Sequence, residues 1–210
     1  MLDNWVKQIS WNAQVQKRER MPMDKSKANL EAVIHKSSFN KSLIRLNGLG
    51  KQGFAVWVFK PGMLFKDLAL WWVDGGVRRR PHEGLDICFY RDKLGQNCRL
   101  TEKTIIPVIY DGKIVRIHDD FLGKSIYVVH EIYNGNKNRL YTVYGHTSPL
   151  CGIAQGEELR EGEPFATIAD VGTGKTAIPP HVHLSVAWIP VTFPFERLNW
   201  DTMSDPNIVT

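Results

Sequence analysis

The stretch at 81–87, PHEGLDI, contains two side chains that could bind a metal ion. It differs from the helical zinc motif His-Glu-x-x-His at its fifth position, which is Asp86. The preceding proline and the internal Gly84 favour an extended segment over a helix. Because side chains alternate along an extended chain, His82 and Asp86 should share one face, with only a glycine between them. Glu83 should point the other way, so the spacing predicts a ligand pair without a neighbouring base.

A second pair of histidines lies in HVHLSVAWI, a run whose β-branched and aromatic residues are typical of a strand. His181 and His183 should therefore project from one face. One of them could bind a metal ion while the other reaches a water molecule on that ion. Two His ligands and one Asp ligand leave a tetrahedral zinc ion with one open position, which is typical of catalytic sites.

The remaining histidines divide by their surroundings. His146 lies in YGHTSP, next to turn residues, and joins the candidate site. The other three are expected to be surface or structural residues: His35, His118 and His130.

The stretch at 171–176, VGTGKT, resembles a phosphate-binding loop. Ala169 stands where that pattern needs its first glycine, and two prolines follow where a helix should begin. We therefore interpret this stretch as a glycine-rich turn between strands.

The elements that must position these residues are mostly strands. The polar, basic beginning of the chain has one weakly helical stretch at 26–37, whereas strand signals begin at 54 and repeat from 84 onwards. Asp-Gly at 111–112 and Asn-Gly-Asn at 134–136 favour hairpins. The pattern predicts a mostly β fold with an antiparallel β-sheet core and a partly helical or irregular N-terminal extension.

Three segments are predicted from the same pattern. A basic N-terminal extension covers 1–53, one domain covers 54–200 with its motifs within 76–190, and a C-terminal tail covers 201–210.

Charge is unevenly distributed along the 210 residues. Residues 1–80 contain 15 Lys and Arg against 6 Asp and Glu, while residues 81–210 contain 12 against 16. A basic flank suits an anionic partner such as a cell wall or membrane surface, although a solvated basic arm is an equal alternative. No nucleic-acid-binding motif appears, so nucleic acid is not expected as a partner.

Neither a transmembrane span nor a signal peptide is present in this sequence. No apolar run approaches the roughly 18 residues that a membrane helix needs, and the N-terminus mixes charged with apolar residues. The odd number of cysteines cannot form a complete disulfide framework. Free buried thiols are expected, with a pair of Cys88 and Cys98 across a hairpin as the alternative to be tested.

The order of the motifs resembles the lysostaphin/LytM-type zinc endopeptidases of bacterial cell walls. His-x-Gly-x-Asp is followed about 60 residues later by Tyr-Gly-His, and then by Pro-His-x-His after a glycine-rich approach. The similarity extends from about Gly76 to Pro190, over half of the chain.

This resemblance implies roles for individual residues. It places zinc on His82, Asp86 and His183, and it makes His146 and His181 the pair that acts as general base and stabilises the transition state. Two further candidates for substrate contacts are Arg78, at a Gly-x-Arg position that recurs in the family, and Tyr144. The chain departs from the common pattern at Ser185, where many members have Glu.

The function implied is zinc-dependent hydrolysis of peptide bonds in peptidoglycan cross-links or stems, with metal-activated water and a His general base. The resemblance also implies an extracytoplasmic location, in the periplasm or at the cell surface. The alternatives are a non-catalytic cell-wall-binding or regulatory module with a retained zinc site, and a zinc amidase that acts on a different amide.

Overall fold

A computed structural model describes residues 34–135, 137–170 and 178–210. Within these residues the chain is mostly β, as the sequence predicts. Helix α1 spans Phe39–Leu46, a 3-10 helix spans Phe195–Arg197, and the short helix α2 spans Trp200–Met203. The strands are β1 (Phe54–Val58), β2 (Leu85–Ile87), β3 (Phe89–Asp92), β4 (Asn97–Arg99), β5 (Ile105–Pro107), β6 (Gly112–Asp120), β7 (Gly123–Asn134), β8 (Asn138–Pro149), β9 (Glu158–Leu159), β10 (Pro164–Ile168) and β11 (Val182–Pro190).

Two antiparallel sheets organise these strands. The larger sheet has eight strands in the order β2-β11-β8-β7-β6-β9, with β10 pairing both β8 and β5. The smaller sheet has the order β1-β3-β4. Every pairing between these strands is antiparallel, which confirms the predicted sheet type.

The long hairpin of β7 and β8 buries both of its faces. Ile126 and Val128 of β7 enter the main core, whereas Tyr127 and Val129, which alternate with them, enter a second core on the opposite face. Because successive side chains point to opposite faces, a strand buried on both sides becomes an almost continuous apolar run. That is the pattern of the segment around Ile126 in the sequence.

Segments from both ends of the described chain cover these two faces. Leu43 of α1 is fully buried in the main core, and Leu198 is fully buried in the second core. The division at 53 and at 200 into extension, domain and tail stays a prediction, although residues on either side of each position share a core.

Two predicted features lie wholly or mostly outside the described residues. These are the glycine-rich turn at 171–176 and the weak helix at 26–37, of which only 34–37 is described, and that part is not helical. All three cysteines are free, which confirms the expectation of free thiols, but Cys88 alone is buried; Cys98 is half-buried and Cys151 is exposed. None of the helices among the described residues is long and apolar enough to cross a membrane.

Candidate metal site and its cleft

Strand β11 brings the three sequence motifs together. It lies between β2 and β8, with His183 opposite Asp86 on one side and opposite Gly145 on the other. Gly145 precedes His146 in the chain, so residues about 100 and about 40 positions apart in sequence meet at one end of the sheet.

Three side-chain atoms converge at this end. Nε2 of His82 lies 3.2 Å from Oδ1 of Asp86 and 3.0 Å from Nδ1 of His183, and the latter two atoms lie 3.0 Å apart. Ligand atoms around a tetrahedral zinc ion, each about 2.0–2.1 Å from the metal, stand about 3.3 Å from one another. The donor set and its spacing therefore fit a zinc ion, and all three residues are buried.

The outer nitrogen of each histidine in this cluster has a partner that fixes the ring. Nδ1 of His82 donates to the carbonyl of Leu64 over 3.0 Å, and Nε2 of His183 contacts the Ser185 hydroxyl at 2.9 Å. Such outer hydrogen bonds select the tautomer whose inner nitrogen has a free lone pair. Ser185, where the sequence departs from the family pattern, thus supports the ring of His183.

Gly84 is required by the close approach of β2 to β11. A Cβ atom at this position would lie 2.5 Å from Nε2 of His183 and 2.7 Å from Oγ of Ser185. The glycine that the sequence places between His82 and Asp86 is thus the residue that this crowding allows.

The second oxygen of Asp86 is also held. Oδ2 accepts a hydrogen bond from Nε1 of Trp71 at 2.7 Å and one from Nη2 of Arg78 at 3.4 Å. Burial alone would raise the pKa of Asp86, but hydrogen bonds with His183 and His82 outweigh it, and the pKa lies well below its usual value. The carboxylate is therefore ionised, which is the form that binds metal.

His181 lies beside this cluster and faces the same space. Its Nδ1 donates to the carbonyl of Pro179 over 2.9 Å, and its Nε2 lies 3.8 Å from Oδ1 of Asp86. Burial lowers the pKa of His181 to about 4, so the imidazole is neutral at pH 7.

His146 completes the group, and its ring centroid lies 4.8 Å from that of His181. Its Nδ1 lies 3.2 Å from Oδ1 of Asp120, a carboxylate that sequence reasoning missed. Asp120 ends β6, and only the pairing of β6, β7 and β8 places it beside His146. The only signal in the sequence is an acidic pair, Asp119 and Asp120, just before a hairpin turn.

An open cleft of about 270 Å³ leads to these groups. Three aromatic side chains form part of its walls: Trp72, Phe121 and Trp200. Glu83 also lines the cleft, whereas strict alternation predicted that it would point away from His82 and Asp86. Strand β2 begins only at Leu85, and the bend at Gly84 breaks the strict alternation on which that expectation depended.

The two predicted substrate contacts have different positions. Arg78 lines the cleft, with its guanidinium 4.9 Å from the centre of the Trp72 ring and a hydrogen bond to the carbonyl of Gly62. Tyr144 is fully buried in the main core, where its hydroxyl accepts a hydrogen bond from the amide of Ile109 at 2.8 Å. A side chain with no exposed surface cannot contact a substrate, so Tyr144 is left out of the proposed site.

The three other histidines lie away from the cleft. His130 is buried and bonded to Thr142, His118 stacks on Tyr127, and His35 is exposed beside Glu161. These positions agree with the structural and surface roles expected for them.

No protein-family model matches the chain, and no curated protein does. Among solved structures it is similar to lysostaphin, with 18% identity and a TM-score of 0.38 over 67% of this chain and 44% of that chain. It is also similar to a mutant catalytic domain of the prophage-encoded M23 protein EnpA of Enterococcus faecalis, with 19% identity and a TM-score of 0.35 over 65% and 87% of the two chains. A third similar structure is Csd3 of Helicobacter pylori, with 18% identity and a TM-score of 0.38 over 75% and 35%.

The chain thus spans less than half the length of lysostaphin and of Csd3. The resemblance to the lysostaphin/LytM-type peptidases consists of the order of the motifs, and the described residues bring those motifs together around a cluster that could hold a metal ion.

Proposed function

We propose that this chain is a zinc-dependent endopeptidase that hydrolyses peptide bonds in peptidoglycan cross-links or stems. One observation carries the proposal: three ligand atoms converge at the base of an open cleft, and two further histidines face the same space. A structural zinc site is normally closed by four protein ligands, whereas three ligands leave a position for chemistry.

In this proposal His82, Asp86 and His183 hold the ion. Bound zinc supplies Lewis-acid polarisation of the scissile carbonyl and lowers the pKa of water towards about 7. His146 and His181 supply the proton transfers, because both line the cleft and each has its Nδ1 bonded to a partner, which leaves the lone pair on Nε2. The aromatic walls exclude water and give an extended peptide a surface on which to lie.

Peptidoglycan as the substrate rests on the resemblance between the motifs and those of the family. Arg78 lines the cleft, so a cationic group stands where an acidic peptide stem would approach. A location outside the cytoplasm, with peripheral contact to an anionic wall, belongs to the same proposal.

The decisive experiment combines metal analysis with product analysis. Purified protein is incubated with peptidoglycan, with and without a chelator, and the released fragments are identified by mass spectrometry. We expect one zinc ion per chain and fragments with new amino and carboxyl ends within the peptides. Both the bound zinc and the release of fragments should be lost after His183→Ala or Asp86→Ala. His118→Ala, which changes a histidine away from the cleft, serves as the matched control.

Other results would replace the proposal. Zinc at one equivalent with no released fragment would identify a non-catalytic binding or regulatory module. Fragments cleaved between sugar and peptide would identify an amidase. Full zinc content in both ligand variants would contradict the proposed ligand set.

A further inference from the structure

Asp120 is a buried carboxylate that none of the proposed metal ligands uses. Its side chain is 1% exposed and lies at the end of β6, beside His146. An ionised group in such a position must be compensated by hydrogen bonds. The hydrogen-bond partners of Asp120 therefore indicate its role.

Both oxygens of Asp120 hold the same residue. Oδ1 accepts from Nδ1 of the His146 ring at 3.2 Å, and Oδ2 accepts from the backbone N–H of His146 at 2.9 Å. Burial would raise the pKa of Asp120, but these bonds from His146 outweigh it and lower the pKa. The carboxylate is thus anionic and can stabilise a positive charge on the imidazole.

The backbone of His146 explains why it needs this support. Lys124 pairs with Thr147 and Ile126 pairs with Tyr144, so strand β8 has one extra residue at this point. The φ angle of His146 is +61°, in the left-handed region that costs a residue with a side chain on the order of 1–3 kcal/mol. Such bulges redirect a side chain and leave an amide unpaired in the ladder, and Asp120 accepts from that amide.

A second layer of hydrogen bonds holds Asp120 itself. The hydroxyl of Ser125, on the facing strand β7, donates to Oδ2 of Asp120 at 2.8 Å. The same hydroxyl accepts from Nε1 of Trp200 at 3.0 Å. Trp200 belongs to α2 and also lines the cleft, so the chain of contacts runs from the cleft wall through Ser125 and Asp120 to His146.

We propose that Asp120 is a positioning residue that makes His146 the proton acceptor of the reaction, by fixing its tautomer, its bulged backbone and its orientation. This inference rests on the proposed hydrolase function. With Nδ1–H committed to Asp120, the lone pair of His146 is on Nε2, the ring nitrogen that is left for the cleft lined by His146. Of the two cleft histidines outside the metal cluster, His146 alone has a carboxylate behind it, because Nδ1 of His181 meets a neutral carbonyl.

The proton balance of the step follows from this arrangement. The oxygen of one water molecule bonds to the scissile carbonyl carbon, and one of its protons passes to Nε2 of His146. As the C–N bond breaks, that proton passes on to the leaving nitrogen, and the second proton of the water is lost from the product carboxyl group. Asp120 stays ionised throughout and stabilises the imidazolium that exists between the two transfers.

The test compares Asp120→Asn with Asp119→Asn in the full chain loaded with zinc. Asp119 is the adjacent carboxylate, but its side chain is 85% exposed and pairs with Lys124. We expect Asp120→Asn to lower kcat on the order of 100-fold or more, the scale of general-base catalysis, with KM and zinc content unchanged. Asp119→Asn should match the wild type.

A spectroscopic readout separates positioning from simple loss of structure. The proton that His146 Nδ1 donates to a carboxylate should give a downfield imidazole resonance in the proton NMR spectrum, assigned by its absence in His146→Gln. We expect it in the wild type and in Asp119→Asn, and not in Asp120→Asn. Ser125→Ala, which keeps both bonds between Asp120 and His146, should keep the resonance with a smaller loss of kcat, and it replaces Asp120→Asn if that variant does not fold.

The outcomes distinguish this inference from the proposed function. Wild-type protein that releases no peptidoglycan fragment overturns both. Active wild type together with a fully active Asp120→Asn, or with no downfield resonance from His146, overturns the role of Asp120 alone. If only Ser125→Ala folds, an unchanged kcat in that variant overturns it.

Discussion

Each histidine that faces the cleft has one ring nitrogen committed outside it. The outer partners are the Leu64 and Pro179 carbonyls, the Asp120 carboxylate and the Ser185 hydroxyl. Because an imidazole that donates through one nitrogen has its lone pair on the other, these partners decide which atoms face the cleft. The chemistry of the site therefore depends on residues that touch neither metal nor substrate.

Ser185 allows a test of that dependence. We expect Ser185→Ala to weaken zinc binding about 10- to 100-fold, because Nε2–H of His183 loses its acceptor. Competition with a chromophoric chelator measures the affinity. Ser148→Ala, an exposed serine on β8, is the matched control, and equal affinities in the two variants would contradict the role of Ser185.

At the scale of elements, α1 belongs to the structure that supports the sheet. Its Phe39 and Leu43 pack into the main core, and Asn47 at its C-terminal end bonds to both backbone groups of Ile105 in β5. The side-chain amide of Asn47 thus joins the helix to β5 through a pair of hydrogen bonds like those between two paired strands. These contacts position β5, which pairs with β10, and β10 in turn pairs with β8.

Truncation of one core residue in α1 tests this integration. We expect Leu43→Ala to lower the free energy of unfolding by about 2–5 kcal/mol, because a fully buried side chain leaves a cavity. Urea unfolding measures the change. Leu94→Ala, at a leucine that is 82% exposed, should change it by less than about 0.5 kcal/mol, and equal losses in both variants would argue against an integral helix.

At the scale of the whole molecule, buried neutral histidines link stability to pH. Burial lowers the pKa of His130, His181 and His183 below the usual value of 6.5. Below about pH 6.5 the unfolded chain therefore binds protons that the folded chain does not. The stability that these groups provide is complete above pH 6.5 and is lost as the pH falls towards their lowered pKa values.

His130 isolates one part of this effect, because it lies in the core away from the cleft. We expect metal-free wild type to lose stability as the pH falls below about 6.5, by at most about 1.4 kcal/mol per pH unit from each histidine. His130→Gln should reduce the slope of the free energy of unfolding against pH by the contribution of one histidine. Urea unfolding at several pH values in the presence of a chelator measures both slopes, and parallel slopes would contradict the assignment.

Local patterns in the sequence were enough to predict the fold class and a set of residue types that could bind a metal ion. Alternation along a strand is a local property of the backbone, so His82 with Asp86, and His181 with His183, could be placed on common faces without knowledge of the fold. The direction expected for Glu83 depended on the same alternation, which the bend at Gly84 interrupts. Tyr144, a candidate that came with the resemblance, lies on β8, which is buried on both faces.

Which distant groups meet depends on contacts between strands that lie far apart in the chain. Asp120 reaches His146 because the β6–β7–β8 register and a one-residue bulge at His146 bring them together. The helix Phe39–Leu46 and the segment with Leu198 are likewise fixed by the two apolar faces of the sheet that they cover. The register of the strands and the covering of the sheet faces both arise from packing between segments far apart in sequence. The spacing of residues within one segment therefore cannot predict them.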